Sequence, residues 1–441
     1  MDLNIVKECY DDFLNRVHIF NKIEDYYYGE TDSLKNFKPM EGRSNLKINI
    51  NYVQKLVDEE TSYSFANDIT YTAKDGDKEP ISYIDKFLSN KKIDHDVNLG
   101  IELVKFGAVF EINYIKDHII KQRIVTPKNG YVYFDEEGDV EYFLHIFTRG
   151  LGVNQKTYID VYSKEAIYHF NEGFNKVAEP TLNIFGFVPV GVAFVGTLDG
   201  KKTIYKTIKT LQDAYETNFS DISCEISDFR NAILQLWGVN LEETDDKGNK
   251  TQPITRDNVI FSFDDKSKQG AEWLIKNIND TFVKNTMDRQ VDMIYSLTNH
   301  INNNEQMVSN LSGIALRSRL FQLEAKCKLN EKAMSNLIKT RLKCLFRFVE
   351  ILEGKIFDCN NIKIQFTPNI PVDTTQIADI ISKIPDNVVS RETKRSLLPF
   401  IENPISEGNK IKKELQEDFE GTVDLDKLGD EDEVNTESKI S

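Results

Sequence analysis

One stripe of apolar residues constrains this chain more than any other feature. Ile204, Ile208, Leu211, Tyr215, Phe219, Ile222, Ile226, Phe229 and Ile233 recur at steps of 4, 3, 4, 4, 3, 4, 3 and 4. The mean step is close to the helical period of about 3.6, and a helix that long would run roughly 45 Å. A rod with one apolar stripe has to bury it, either against a returning rod or against further copies of the chain. Oligomerisation is therefore expected.

The sequence supplies a candidate return. Val283, Met287, Val291, Ile294, Leu297 and Ile301 predict a second helix from about Asp280 to His300. Between the rods, residues 234–263 hold two apolar runs around a polar loop with Lys247-Gly248-Asn249 and Pro253, which reads as a small β module. A third helix is predicted from about Ser312 to Leu352, with no glycine or proline interrupting it between Gly313 and Gly354. Residues 1–200 read as α+β, alternating short helices with β segments. "YVYFDEEGDVEYFLHIF" is a hairpin, "TYIDVYSKEAIYHF" two further strands, and "FGFVPVGVAFVG" a buried strand too short to span a bilayer. "NIKIQFTP" is a strand and 373–413 a small helical unit punctuated at Pro385, Pro399 and Pro404.

Between the second and third helices lies "NHINNNEQMVSNLSGIALRSRL". It is rich in amides and hydroxyls, and from Asn299 to Leu316 its only formal charge is Glu305. The following helix is basic: Arg317, Arg319, Lys326, Lys328, Lys332, Lys339, Arg341, Lys343 and Arg347 face only two acids up to residue 347. The net charge of −16 sits partly in the tail, where eleven acids and two lysines fall between 414 and 439. That tail is too polar to repay the entropy of ordering and is expected to be disordered.

Enzyme readings find little support. "GTLDGKKT" resembles a phosphate loop, but three residues rather than four separate Gly196 from Gly200, and Lys202 follows Lys201 where a hydroxyl is needed. "DLDKLGD" begins like a calcium loop, but Leu428 replaces an oxygen ligand and Asn435 the bidentate glutamate. The six histidines are scattered, and the five cysteines lack CxxC spacing, so reduced thiols and no metal or cofactor are expected. The acidic start without an apolar h-region is not a signal peptide. The expectation is a soluble, non-secreted protein.

Five stretches, in order, resemble the portal proteins of tailed bacteriophages, in the family with the SPP1-type portal. They are "FNKIEDYYYGE" followed by "NLKININYVQKLVDEETSYSFANDITY", "FGFVPVGVAF", "LQDAYETNFSDISCEISDFRNAILQLWG", "LSGIALRSRLFQLEAKCKLNEKAMSNLIKTRL" and "SRETKRSLLPFIENP". The chain departs from the family at 66–68, where Ala-Asn-Asp replaces a Gly-x-Pro, and at Gly196. The resemblance implies an α+β portal fold: a wing over 1–200, stem helices over 201–233 and 276–298, and a small β-containing clip over 234–275. It further implies a tunnel loop over 299–311, a long kinked or continuous wing helix over 312–354, a helical crown over 355–413 and the acidic tail over 414–441.

The function it implies is a homo-oligomeric ring, usually of twelve subunits, at one capsid vertex of the virion, assembled in the host cytoplasm. Double-stranded DNA would pass through it without sequence specificity during packaging and ejection. Its partners would be the terminase large subunit, a head-completion or adaptor protein, and the major capsid and scaffolding proteins, with no membrane. Asn302, Asn303, Asn304, Gln306, Ser309 and Asn310 would face the DNA. Arg317, Arg319, Lys326 and Lys328 would contact DNA or a neighbouring subunit, and Ile204, Ile208, Leu211, Tyr215, Phe219, Ile222 and Ile226 would pack the oligomer. Two alternatives stand beside it: a non-portal minor head or connector protein, and a DNA-processing enzyme, either motor or nuclease.

Overall fold

The computed structural model describes residues 1–228 except 42 and 90, short strands between 233 and 274, and residues 280–302, 313–369, 374–385, 387–398 and 407–416. The chain divides into two compact units, 1–369 and 370–441. Within the first unit the helices are α1 (Leu3–Tyr27), α2 (Asp32–Lys35), α3 (Tyr52–Phe65), α4 (Glu79–Leu88), α5 (His95–Phe106), α6 (Ile204–Asp228), α7 (Asp280–Thr298) and α8 (Gly313–Glu353). In the second unit α9 (Thr374–Lys383), α10 (Arg391–Ser396) and a helix over 407–416 are described.

The strands form small sheets that position the helices. β1 (Thr70–Ala73) pairs antiparallel with β15 (Ile362–Gln365), tying residues nearly 300 apart. β2 (Ala108–Lys116) is central to a three-stranded antiparallel sheet with β3 (Ile119–Val125) and β9 (Val190–Phe194). β4 (Gly130–Phe134), β5 (Val140–Arg149), β6 (Lys156–Tyr162), β7 (Ala166–Asn171) and β8 (Lys176–Leu182) follow one another in a meander. The expected hairpin at 131–147 is β4–β5, closed at Asp135-Glu136-Glu137-Gly138-Asp139, where Gly138 takes the left-handed φ of 89°. β8 is an edge strand exposed on both faces, and Lys176, Pro180 and register shifts against β7 guard it from pairing outward.

Two expectations need correction. The striped helix α6 is described as far as Asp228, and Ile233 does not continue it, because 233–237 are strand β10 (Ile233–Trp237). That strand pairs parallel with β13 (Val259–Ser262) and antiparallel with β14 (Gly270–Leu274), while β11 (Glu243–Thr244) pairs with β12 (Lys250–Thr251). Ladder bonding across distant residues overrides the helical period there. The first helix is not short: α1 has 25 residues and ends where Gly29 adopts φ 80°.

The main core lies between α8, the β2 sheet, α3 and α5. Met334, Leu337, Ile338, Leu342, Leu345 and Val349 on α8 are all buried in it. Each buried side chain of this size contributes about 1.5–3 kcal/mol of transfer free energy. α8 lies directly on β9: a Cβ added at Gly191 would sit 2.7 Å from the Leu337 carbonyl oxygen. α8 runs unbroken for 41 residues, about 60 Å, and stops at Gly354 with φ 70°. Among the described residues no helix is long and apolar enough to cross a membrane.

Candidate functional site: the junction of the long helices

α3 is the joint on which α6, α7 and α8 converge. Asn51 caps it, accepting from the Gln54 N–H at 3.0 Å. Tyr52, Leu56 and Glu60 then recur four residues apart along one face. Tyr52 takes the first two long helices: its ring packs edge-on against Tyr215 of α6 (5.5 Å) and Tyr295 of α7 (6.1 Å). Tyr295 also hydrogen-bonds Lys55, whose ammonium lies 5.1 Å from its ring centre.

Glu60 takes the third. It is buried, and its Oε2 lies 2.6 Å from Lys326 Nζ on α8, while Asn330 donates to its Oε1. Lys326 also donates to the Thr298 carbonyl at the end of α7, at 3.4 Å. Beside them, fully buried His300 sets one ring nitrogen 2.9 Å from the Thr298 carbonyl and the other 3.1 Å from the Leu56 carbonyl, with Glu60 3.8 Å away. Burial, reinforced by the Lys326 charge, pushes the His300 pKa down to about 4, against the pull of Glu60 and the two carbonyls. The last turn of α7 and the early part of α8 are thus fastened to the same buried carboxylate.

A second ionic pin holds α8 four turns further on. Arg341 is fully buried and donates to both carboxylate oxygens of Glu111 on β2, at 2.9 and 2.5 Å, and lies 2.9 Å from Asp96 on α5. His95 Nε2 is 2.9 Å from the same Glu111, and Lys91 pairs with Asp96. Burial would raise the Asp96 pKa, but the Arg341 and Lys91 charges outweigh it and bring it to about 2. Glu111 is likewise held below the usual range by Arg341 against its burial.

The apolar stripe of α6 emerges from this junction. Ile204 and Ile208 are buried, Leu211, Tyr215 and Ile222 are half-buried, Phe219 is 36 % exposed and Ile226 60 %. α7 runs antiparallel beside α6, with Asn218 donating to Gln290 at 3.3 Å. It covers only part of the stripe and brings exposed apolar residues of its own: Phe282, Met293 and Leu297. Leu297 therefore does not lie on the buried stripe where the periodicity put it; Tyr295 takes that place. α8 adds exposed Phe321 and Leu329.

Of the expected DNA-facing residues, Asn302 donates to Asp292 at 3.2 Å. Asn303, Asn304, Gln306, Ser309 and Asn310 lie outside the described residues. Arg317 and Arg319 stand on α8 with side chains outside the described set. Lys326 and Lys328 both meet carboxylates of their own chain, Glu60 and Glu331 (2.7 Å). The loop at 196–203 is a turn into α6: Asp199 accepts from Thr197 Oγ1 and the Lys201 N–H, and Thr203 Oγ1 caps the helix through the Lys206 N–H at 3.2 Å. The suspected calcium loop at 424–430 lies outside the described residues.

Sequence reading missed Glu60, Glu111 and Asp96. A signal existed for their partner: Arg341 falls on the apolar face of α8, between Leu337, Ile338, Leu342 and Leu345. A guanidinium in that place requires a buried carboxylate.

The family described as phage portal protein, SPP1 Gp6-like, matches residues 6–421. No curated protein matches the chain. Among solved structures, a chain in the neck of an empty GTA particle, computed with C6 symmetry, has a TM-score of 0.41 at 10 % identity, over 78 % of this chain and 88 % of that one. One in the neck of a native GTA particle, computed with C12 symmetry, has a TM-score of 0.38 at the same identity and coverage. With a match that spans nearly its whole length, this chain belongs to the phage portal protein family.

Proposed function

We propose that the chain closes into a ring, usually of twelve copies in this family, at one capsid vertex and conducts double-stranded DNA inward during packaging and outward at ejection. The observation that carries this reading is the stem. The stripe that anchors α6 in the core continues outward as Ile226, and α7 adds Met293 and Leu297, each more than half exposed. A row of apolar residues on a paired-helix rod asks for another rod, and a head-to-tail contact repeated around an axis closes a ring.

The amide-rich segment between α7 and α8 fits the bore of such a ring. Duplex DNA carries about one phosphate charge per 1.7 Å, and each fixed lysine or arginine would add affinity through counterion release. Asparagine, glutamine and serine at 302–310 bond phosphate oxygens weakly and exchange with water, which suits a sliding contact. Neutralisation of Lys326 by Glu60 and of Lys328 by Glu331 acts in the same direction. In this reading the portal has no catalysis of its own. The terminase large subunit drives the DNA, a head-completion protein docks later on the clip at 234–275, and the wing meets the capsid and scaffolding proteins. Mass measurement of the purified protein, with imaging of its particles, tests the proposal. A closed ring with a central opening supports it, whereas a stable monomer or dimer favours a minor head or connector protein.

A further inference from the structure

Between α2 and α3 the chain crosses residues 44–50 without any regular secondary structure. The segment nevertheless alternates as a strand would, with Leu46, Ile48 and Ile50 between Asn45, Lys47, Asn49 and Asn51. Its partner is the side of a helix. The Ser44 N–H donates to Asp228 Oδ1 at 2.8 Å, Leu46 to Cys224 Sγ at 3.1 Å and Ile48 to Ser220 Oγ at 3.1 Å. Ile50 donates to Glu216 Oε1 at 3.2 Å and Tyr52 to Gln212 Oε1 at 3.3 Å. Every second residue of the segment meets every fourth residue of α6, in antiparallel order over five rungs.

The two periods make this ladder possible. Two extended residues advance about 6.6 Å, and four helical residues about 6.0 Å. The acceptors at 212, 216, 220, 224 and 228 form one i, i+4 ridge of α6, with an oxygen or sulfur at each place. Glu216 and Ser220 are buried under the segment. Thr31 and Ser33 (2.6 Å) also donate to Glu216, and Gln212 returns a bond to the Ile50 carbonyl at 2.5 Å. The alternate side chains fasten the segment elsewhere: Asn49 donates to the Gly29 carbonyl at 3.0 Å and Asn51 to the Tyr27 carbonyl at 2.7 Å, at the end of α1.

We propose that residues 44–52 are a splint for α6. The outer half of α6 has few buried apolar contacts, with Ile226 largely exposed, so helix packing alone does not fix it to the body. The backbone of the splint does so through Gln212, Glu216, Ser220, Cys224 and Asp228, which act as positioning residues for the rod. This inference concerns the single chain and holds whether or not the ring reading is right.

Proline scanning in and out of phase tests it, because proline removes one N–H while keeping an extended backbone. Leu46→Pro and Ile48→Pro each delete a rung, whereas Lys47→Pro deletes an N–H that makes no bond to α6. Hydrogen exchange of α6 amides 217–228 is read in each variant, with the alkylation rate of Cys224 in a Cys359→Ser background. The in-phase variants should speed both about five- to tenfold, with Lys47→Pro near the parent. Ser220→Ala separates the ladder from intrinsic helicity: alanine is the better helix former, so faster exchange in that variant supports the splint and slower exchange opposes it. Equal behaviour of Leu46→Pro and Lys47→Pro, or no change of α6 in any variant, would overturn the proposal.

Discussion

Lys326 on α8 sets its ammonium 2.6 Å from the buried Oε2 of Glu60 on α3, joining residues 266 positions apart. The same lysine reaches the Thr298 carbonyl, so one ion pair ties the end of α7, the beginning of α8 and the joint between them. Lys326 keeps some solvent access while Glu60 has almost none. Removal of the lysine therefore strands a buried carboxylate, whereas removal of the carboxylate frees a lysine that can turn to water. Lys326→Met is expected to cost about 2–4 kcal/mol and Glu60→Gln about 1–2 kcal/mol. The double variant should cost less than the two together. Denaturant midpoints of the four proteins check this, and strict additivity would mean that the pair is not coupled.

A pH dependence follows from two buried histidines. Burial pushes His145 and His300 down to about 4, from an ordinary value near 6.5. Between those values the unfolded chain binds a proton that the folded chain does not. The stability these groups contribute is therefore complete above about pH 6.5 and is lost as the pH falls toward 4. Each contributes on the order of 3 kcal/mol across that window. Thermal unfolding from pH 7 to pH 4 should show the decline, and His300→Gln should flatten it relative to the parent.

The exposed end of the α6 stripe can be tested apart from folding. Ile226 is 60 % exposed, so Ile226→Asp should change the stability of the single chain by no more than about 0.5 kcal/mol. If copies pack through this stripe, the same variant should lose higher assembly. Circular dichroism melting beside light scattering separates the effects; intact assembly in Ile226→Asp would remove the stripe from the interface.

Lysine at Asn302, Asn303 and Asn304 should leave assembly intact and impair DNA filling or release. Three added cations per subunit, repeated around a ring, would hold a polyanion by counterion release. Filling and ejection are measured in particles that carry the variant, and normal levels of both would end the sliding-contact reading.

Local pattern carried a good deal of this architecture in the sequence. α8 was legible because no glycine or proline interrupts it and Gly354 ends it. The β4–β5 hairpin was legible because Asp135-Glu136-Glu137-Gly138-Asp139 separates two aromatic-rich runs. What stayed hidden depends on partners far apart in the chain. Ile233 continues a helical period but pairs with Leu274, which no local window shows. Glu60 and Glu111 look like any other acids until α8 brings Lys326 and Arg341 to them. The ladder on α6 escaped notice because a strand pattern normally implies a backbone partner, and here the partner is a ridge of helix side chains. Asn49 and Asn51 lie in a stretch that carries the family resemblance, and their work at the carbonyls of Gly29 and Tyr27 appears only in the fold.

The central claim is that many copies of this chain close around a hole wide enough for duplex DNA. Native mass measurement of the purified protein, joined to end-on images of the same particles, tests it most directly. The account predicts a discrete closed oligomer, twelve copies in the usual case, with an open axial channel. A protein that stays monomeric or dimeric at all concentrations, or particles without a central opening, would contradict it.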